Sequence, residues 1–246
     1  MFVITADQVG SRTDIDRSAA MQRDLQERFG AQLRLPVDQT AGDELQMLTD
    51  HAATALDLVL ALGRDGHWSV GLGIGDVRTP LPDAVRKAAG GAFIAAREAV
   101  DAAKRADGRF ALRAAGGPAE APEVAAPPLG AAELEPLVRL LLLVRDRRSP
   151  QGWEAIDLVR EVGSQKRAAE TLGISDAAVS QRLKAAVWSV DDEARRALVR
   201  LLAELDRATA AAFATDAEGA PDGAGGPGGA GATRADERRE DDGGAR

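Results

Sequence analysis

The chain lacks cysteine altogether, which excludes disulfides, thiol catalysis and metal sites built on thiolates. This absence is typical of the reducing cytoplasm, where we expect the protein to reside. Histidine is nearly as scarce, and neither His51 nor His67 has a partner at metal-ligand spacing. The apolar stretch at 140–144 is far too short for a membrane span. No basic region precedes the short apolar run of residues 1–10, so no secretory signal is predicted.

The chain also has no excess of basic residues, since its formal net charge is −8. Residues 214–246 hold eight acids against four arginines, whereas residues 131–213 hold thirteen acids and thirteen bases. Phosphate neutralisation supplies most non-specific affinity for DNA. A neutral DNA-binding module would therefore need a homodimer, or a second contact, to bind tightly.

The 246 residues are enough for two modest domains. Residues 1–114 read as strand, helix, strand, strand, helix, strand, helix, strand, which predicts an α+β fold with a ferredoxin-like α/β-sandwich. Residues 115–130 contain four prolines and three glycines and predict a linker. Residues 131–213 predict an all-α domain. Residues 214–246 are rich in Gly, Ala, Pro and charge, which predicts a disordered tail.

Periodicity and turn residues give approximate bounds for the elements of the first domain. Strands are expected at 2–6, 33–40, 44–48, 67–75 and 109–113, and helices at 14–29, 50–63 and 91–106. Ile15 and Ala19 are expected on the inner side of the first helix, and Asp50 is expected to cap the second. Gly42 allows a tight hairpin turn, after which Glu44 is expected to point outward.

The second domain has clearer signals. Helices are expected at 131–147 and 191–212. Between them, another helix is expected to begin at Pro150, with Ser149 as its cap. The leucines of the last helix suit either a dimer seam or packing on the domain itself, and the pattern does not separate these.

Residues 164–186 carry the strongest functional signal, because they read as two short helices joined by a tight turn. Ser164 is expected to cap the first helix, Gly173 to end it in a left-handed conformation, and Ser175 to cap the second. Val179 and Leu183 would then face the core. The outward residues are the predicted DNA contacts, as a helix in a major groove requires: Ser175, Asp176, Ala177, Ser180, Gln181, Arg182 and Lys184.

An ordinary helical hairpin is the alternative, since capped helices joined by a glycine turn occur in many bundles. Small alanines at the crossing, Gly-Ile-Ser in the turn and the Ser-Gln-Arg-Leu-Lys run favour DNA reading. Over roughly a tenth of the chain, the segment resembles the helix-turn-helix of bacterial regulators and of sigma-factor region 4.

Two acids of the first domain stand where neighbouring elements meet. Asp7 ends the first strand and Asp43 lies in the hairpin turn, so their carboxylates could share Mg²⁺. Backbone N–H groups of Val9, Gly10 and Ser11 could hold a phosphate. If such a site exists, Arg12 and Arg97 are candidates for phosphate contacts, Arg97 because of the family resemblance described below. Alternatively, both acids are solvated turn residues and both arginines surface charges.

The segments Ala6–Ser11, Gly42-Asp43, Val70–Gly75 and Ala95–Arg97 are similar to motifs of class III nucleotidyl cyclases. In that family an asparagine precedes the transition-state arginine by four residues. Here the position is Phe93, which argues against cyclisation. With the carboxy-terminal helix pair included, the chain up to about residue 205 resembles the SatD family. The resemblance implies a cyclase-like fold but no particular reaction.

We therefore expect a cytoplasmic DNA-binding transcriptional regulator whose first domain binds a nucleotide with Mg²⁺ or dimerises. One alternative is a metal-dependent phosphoryl-transfer enzyme with a helical docking module. Another is a carboxy-terminal half that binds a protein such as RNA polymerase.

Overall fold

The computed structural model describes residues 1–11, 15–40, 42–116 and 129–218, with side chains described up to residue 213. These ranges form a mixed α/β structure with one five-stranded sheet and eight α-helices, so the expected mixed class is confirmed. The strands are β1 (Phe2–Gln8), β2 (Asp38–Gln39), β3 (Glu44–Thr49), β4 (Trp68–Ile74) and β5 (Phe110–Ala114). The helices are α1 (Ser18–Phe29), α2 (Ala52–Asp65), α3 (Gly91–Ala103), α4 (Ala131–Asp146), α5 (Pro150–Val162), α6 (Gln165–Leu172), α7 (Asp176–Ala185) and α8 (Trp188–Glu218).

The sheet has the strand order β2-β3-β1-β4-β5 and is antiparallel except for the parallel pair β4–β5. The predicted hairpin is present, and Gly42 has the positive φ of 80° that its turn requires. The strand expected at 33–40 is reduced to β2. Pro36 has no N–H to donate to a ladder, which breaks the pairing before β2.

The first helix begins four residues later than expected. Ile15 lies before it and is 66% exposed, and Ala19 is also exposed, so neither contributes to the core. The Gln8 side chain holds the preceding loop, since its Nε2 donates to the Ile15 carbonyl at 2.7 Å and its Oε1 accepts from the Arg17 N–H at 2.9 Å. These hydrogen bonds compete with helix formation before residue 18.

One face of the sheet is covered by α3, which lies directly on β4. Gly71 and Gly73 permit this, because a Cβ at Gly73 would be 2.2 Å from the Ala92 carbonyl oxygen. The alternation of glycine with apolar residues in β4 therefore predicted a closely packed face correctly.

The opposite face of the sheet packs against α2, α4 and α8 in one continuous core. Leu56 of α2, Val138 of α4 and Leu202 of α8 belong to this core together with the strands. The predicted boundary between residues 114 and 131 therefore does not coincide with a division of the hydrophobic core. Leu198, Leu202 and Leu205 are buried, so these leucines of α8 pack within the chain and do not form a dimer seam.

A second, smaller core lies among α5, α6 and α7. Ile156 of α5, Ala169 of α6 and Val179 and Leu183 of α7 form it with Trp153 and Trp188 at its edge. Helix α5 begins as predicted, with the Ser149 Oγ accepting from the Gly152 N–H at 3.1 Å. We refer to α5, α6 and α7 as the three-helix unit.

The last helix is longer than expected and runs to Glu218, so residues 214–218 of the predicted tail are helical. The alanine-rich end of α8 has high helix propensity, which accounts for the extension. Residues 219–246 of the predicted disordered tail and residues 117–128 of the predicted linker lie outside the described residues. Among the helices that are described, none combines the length and apolar character that a membrane crossing needs.

Candidate functional site

Helices α6 and α7 are joined by a tight turn at Gly173, Ile174 and Ser175. Gly173 has a φ of 65°, and the Ile174 N–H donates to the Ala169 carbonyl at 3.1 Å. The Ser175 Oγ accepts from the Ala178 N–H at 3.1 Å and so caps α7 as predicted. The turn is therefore set by local hydrogen bonds and by a glycine in the left-handed region.

Of the two predicted helix caps in this segment, the structure corrects that of Ser164. Ser164 occupies the position before α6, but its side chain accepts no capping hydrogen bond. The first N–H groups of α6 therefore gain nothing from this hydroxyl.

The two serines provide a matched pair of substitutions. We expect Ser175→Ala to lower the free energy of unfolding by about 1 kcal/mol, because the cap of α7 is lost. Ser164→Ala should change it by no more than about 0.5 kcal/mol, since no capping bond is lost. Urea titrations of both variants and the parent measure the difference. Equal losses in the two variants would contradict the assignment of the caps.

The outward face of α7 is open to solvent. Val179 and Leu183 are buried in the core of the three-helix unit, whereas the predicted contacts on the opposite side are exposed: Ser175, Asp176, Ala177, Ser180, Gln181 and Lys184. No other described element lies over this face, which was the requirement for base contacts.

Arg182 does not belong with these residues. It is half-buried, and its Nη1 donates to the Glu154 Oε2 of α5 at 2.8 Å. Arg182 thus forms an ion pair between α5 and α7, and its role as a DNA contact stays a prediction. The helical register placed it beside the inner stripe, but the acidic partner lies 28 residues away along the chain.

Helix α6 adds polar and basic residues that the sequence analysis missed. Gln165 lines a shallow groove of about 480 Å³ together with Ser180 and Lys184 of α7. Lys166 and Arg167 are exposed in the same first turn, and within the described residues neither lies within 4 Å of an acid. A first helix that begins with Gln-Lys-Arg was the available signal, because helix N-termini and basic side chains contact phosphates.

The two acids of the first domain do approach one another. Asp7 lies within β1 opposite Glu44 of β3, and the Gln8 N–H donates to the Asp43 carbonyl at 3.3 Å. The Asp7 Oδ2 is 3.5 Å from the Nζ of Lys104, which also lies 3.4 Å from the Asp101 Oδ1, so the two carboxylates share one cation. Within the described residues, no three acidic or histidine side chains group together as ligands for a metal ion.

The predicted phosphate turn is partly occupied by other contacts. The Val9 N–H donates to the His67 carbonyl at 2.8 Å, which removes it from the set of phosphate donors. Gly10 and Ser11 do form a turn, with Gly10 at a φ of 69°. Arg12 lies outside the described residues.

Arg97 pairs with an acid of β3, since its Nη1 donates to the Glu44 Oε2 at 2.5 Å. Glu44, expected to point outward, is 8% exposed and also accepts from the Thr40 Oγ1 at 2.9 Å. Its partner Arg97 lies 53 residues away, so local alternation could not reveal the pairing. Asp50, the predicted cap of α2, instead pairs with Arg34, and His51 occupies the cap position.

Comparison with known proteins adds no assignment to this geometry, since no family model, no curated protein and no solved structure matches the chain. The protein is thus defined as a mixed α/β molecule whose exposed polar helix face stands beside a basic helix start.

Proposed function

We propose that the protein is a DNA-binding transcriptional regulator in which α6 and α7 form a helix-turn-helix and α7 enters the major groove. The observation that carries the proposal is the exposure of Ser180, Gln181 and Lys184 on a helix whose other side is buried. Helix α7 has 10 residues and is therefore about 15 Å long. A major groove about 12 Å wide admits a helix of this kind.

The surroundings of α7 also support this function. Lys166 and Arg167 at the start of α6 suit phosphate contacts, which position a recognition helix without reading bases. The exposed acids of these two helices are Glu170, near the end of α6, and Asp176, at the beginning of α7, where an acid is favourable to the helix dipole. The exposed surface of α6 and α7 therefore has more bases than acids, which favours phosphate binding more than the neutral count for residues 131–213 implies.

The first domain enters the proposal as a ferredoxin-like, cyclase-type unit. The order β1-α1-β2-β3-α2-β4, with β2-β3-β1-β4 adjacent in an antiparallel arrangement, supports this description. Membership of the SatD family stays a prediction on the same grounds, as do homodimer formation and a cytoplasmic site of action. Nucleotide and Mg²⁺ binding at Asp7 and Asp43 also stays a prediction, and the Lys104 and Arg97 ion pairs make the phosphoryl-transfer alternative less favourable.

Recovery of genomic DNA fragments bound by the purified chain provides the test. On a recovered fragment, Gln181→Ala combined with Lys184→Ala should weaken binding by tenfold or more, because one good base contact is worth about 1–3 kcal/mol. Lys184→Ala alone should reduce the slope of log affinity against log salt concentration by about 1, if it contacts a phosphate.

The matched control is Gln32→Ala combined with Lys87→Ala, which removes the same residue types from exposed positions outside the three-helix unit. This control should bind as the parent does. Parent-like binding by the α7 double variant, or failure to recover any specific fragment, would reject the proposed function.

A further inference from the structure

A cavity lies where the sheet-bearing part of the molecule meets the three-helix unit. It has a volume of about 400 Å³ and is walled by α1, α2, α4, α5 and α8. Five arginines from these different helices line it: Arg28, Arg64, Arg145, Arg160 and Arg195. Among the described residues only two acids, Asp57 and Asp192, line the same cavity, although the chain as a whole has a net charge of −8.

The acids at this cavity are already engaged. Asp57 receives two hydrogen bonds from Arg195, and Asp192 pairs with Arg196. Further out, Arg64 forms a two-bond pair with Asp157 at 2.8 and 2.6 Å, and Arg28 pairs with Asp24 at 2.7 Å. Each of these aspartates therefore compensates a single arginine.

Within the described part of the chain, three further arginines, Arg145, Arg148 and Arg160, have one close acid, Asp191, among them, so two positive charges are left without a paired acid. Asp191 is shared between Arg145 and Arg148, with N–O distances of 2.6 and 2.9 Å. Arg160 has no acidic atom within 4 Å among the described residues. The Arg160 side chain is exposed, yet partial desolvation of its guanidinium lowers its pKa, and the charge of Arg145 lowers it further, against the opposing effect of Asp191 and Asp157. Burial also lowers the pKa of Arg148, which Asp191 offsets in part. The positive charge here is thus incompletely neutralised by the chain.

We propose that this cavity binds a small phosphate-bearing anion, with Arg160 as its principal ligand. A guanidinium presents a planar fork of donors that matches phosphate oxygens and can bind two of them at once. The volume of about 400 Å³ lies within the range of small-molecule sites. Arg64 and Arg148 already lie over the Trp153 ring, at 4.1 and 4.8 Å, so the cavity recognises the phosphate and does not stack a base on this ring.

The cavity adjoins a groove between α1, α2 and α5. This groove has a volume of about 920 Å³ and shares Arg28, Arg64 and Arg160 with the cavity. It also contains Asp16, Asp65 and Asp157 and is therefore mixed in charge. An anion would be stabilised in the cavity, where five arginines stand against two aspartates, more than in the groove.

Titration of the full chain with inorganic phosphate and with pyrophosphate tests the site, followed by thermal unfolding and by tryptophan fluorescence. Both anions should raise the unfolding temperature more than sodium chloride does at equal ionic strength, because a ligand that binds the folded state stabilises it. Arg160→Gln should weaken the apparent affinity at least tenfold while leaving the unliganded variant as stable as the parent.

Arg200→Gln is the control, since Arg200 is an exposed arginine of α8 that does not line the cavity. It should bind both anions as the parent does. Stabilisation no greater than that by sodium chloride, or parent-like binding by Arg160→Gln, would overturn the proposal. No DNA is present in these titrations, so their outcome is independent of the proposed regulatory function.

Discussion

Replacing Asp191 with asparagine is expected to lower the free energy of unfolding by about 3–5 kcal/mol, because it leaves buried arginines without a counter-charge. The Asp191 side chain is fully buried, as is that of Arg148, and Arg145 is 8% exposed. Arg145 donates to both carboxylate oxygens at 2.6 and 2.7 Å. Loss of the carboxylate charge removes the interaction that offsets the desolvation of both guanidinium groups.

The Asp191 cluster also connects the two hydrophobic cores. Arg145 belongs to α4 and Asp191 to α8, whereas the Arg148 Nε donates at 2.8 Å to the carbonyl of Ala186 at the end of α7. The two hydrophobic cores thus meet at a buried ionic contact. We expect the loss to be seen in urea titrations monitored by tryptophan fluorescence.

Asp192→Asn provides the control in the adjacent position. Asp192 is 39% exposed and pairs with Arg196 one turn along α8, so its removal should cost no more than about 0.5 kcal/mol. Comparable losses for the two variants would show that the Asp191 cluster is no more stabilising than a surface pair.

Gly73→Ala is expected to destabilise the protein by about 3 kcal/mol, at the upper end of the usual cost of overpacking. The added Cβ would lie 2.2 Å from the Ala92 carbonyl oxygen and 2.3 Å from the Ala96 nitrogen. Both atoms belong to the backbone of α3, so the whole helix must move away from β4. Such movement weakens the contacts of Ala96 and Ala99, which are fully buried.

Gly30→Ala offers an instructive comparison, because its Cβ would also approach a neighbouring atom to 2.2 Å. That atom is the amide nitrogen at the end of the Gln26 side chain, so a shift would strain one hydrogen bond, from the Val37 N–H at 2.8 Å, but no backbone, and the φ of −53° at Gly30 suits alanine. The cost should be about 1 kcal/mol or less. Thermal and urea unfolding of both variants measure it, and a Gly73→Ala loss no larger than that of Gly30→Ala would disprove the tight packing of α3 on β4.

The local features of the candidate site could be predicted because they depend on a few consecutive residues. Gly173 ends α6, Ser175 caps α7, and Val179 and Leu183 face inward, all as their spacing indicates. The Ser149-Pro150 start of α5 follows the same logic. Local predictions failed at Ser164 and at Ile15. Ser164 does not cap α6, because its side chain accepts no hydrogen bond from that helix. Ile15 lies outside α1, because the Gln8 side chain donates to its carbonyl and so competes with helix formation.

Contacts between distant residues could not be predicted in the same way. Arg97 was a phosphate candidate within a cyclase-like motif and Arg182 a DNA contact from its position on a helix, but each is paired with a glutamate. The arginine cavity was missed entirely, because its five arginines are dispersed between residues 28 and 195. A single sequence contains no periodicity that relates such positions.

The amino-acid order by itself determined the helix caps, the glycine turns, the buried stripes and the outward polar face of α7. These depend on steric preferences and hydrogen bonds within one or two turns of the chain. Only the tertiary structure decided that α4 and α8 complete the core beneath the sheet, and which acid neutralises which base. Burial of apolar surface is non-directional, so the choice of partner for each helix emerges only when all elements pack at once.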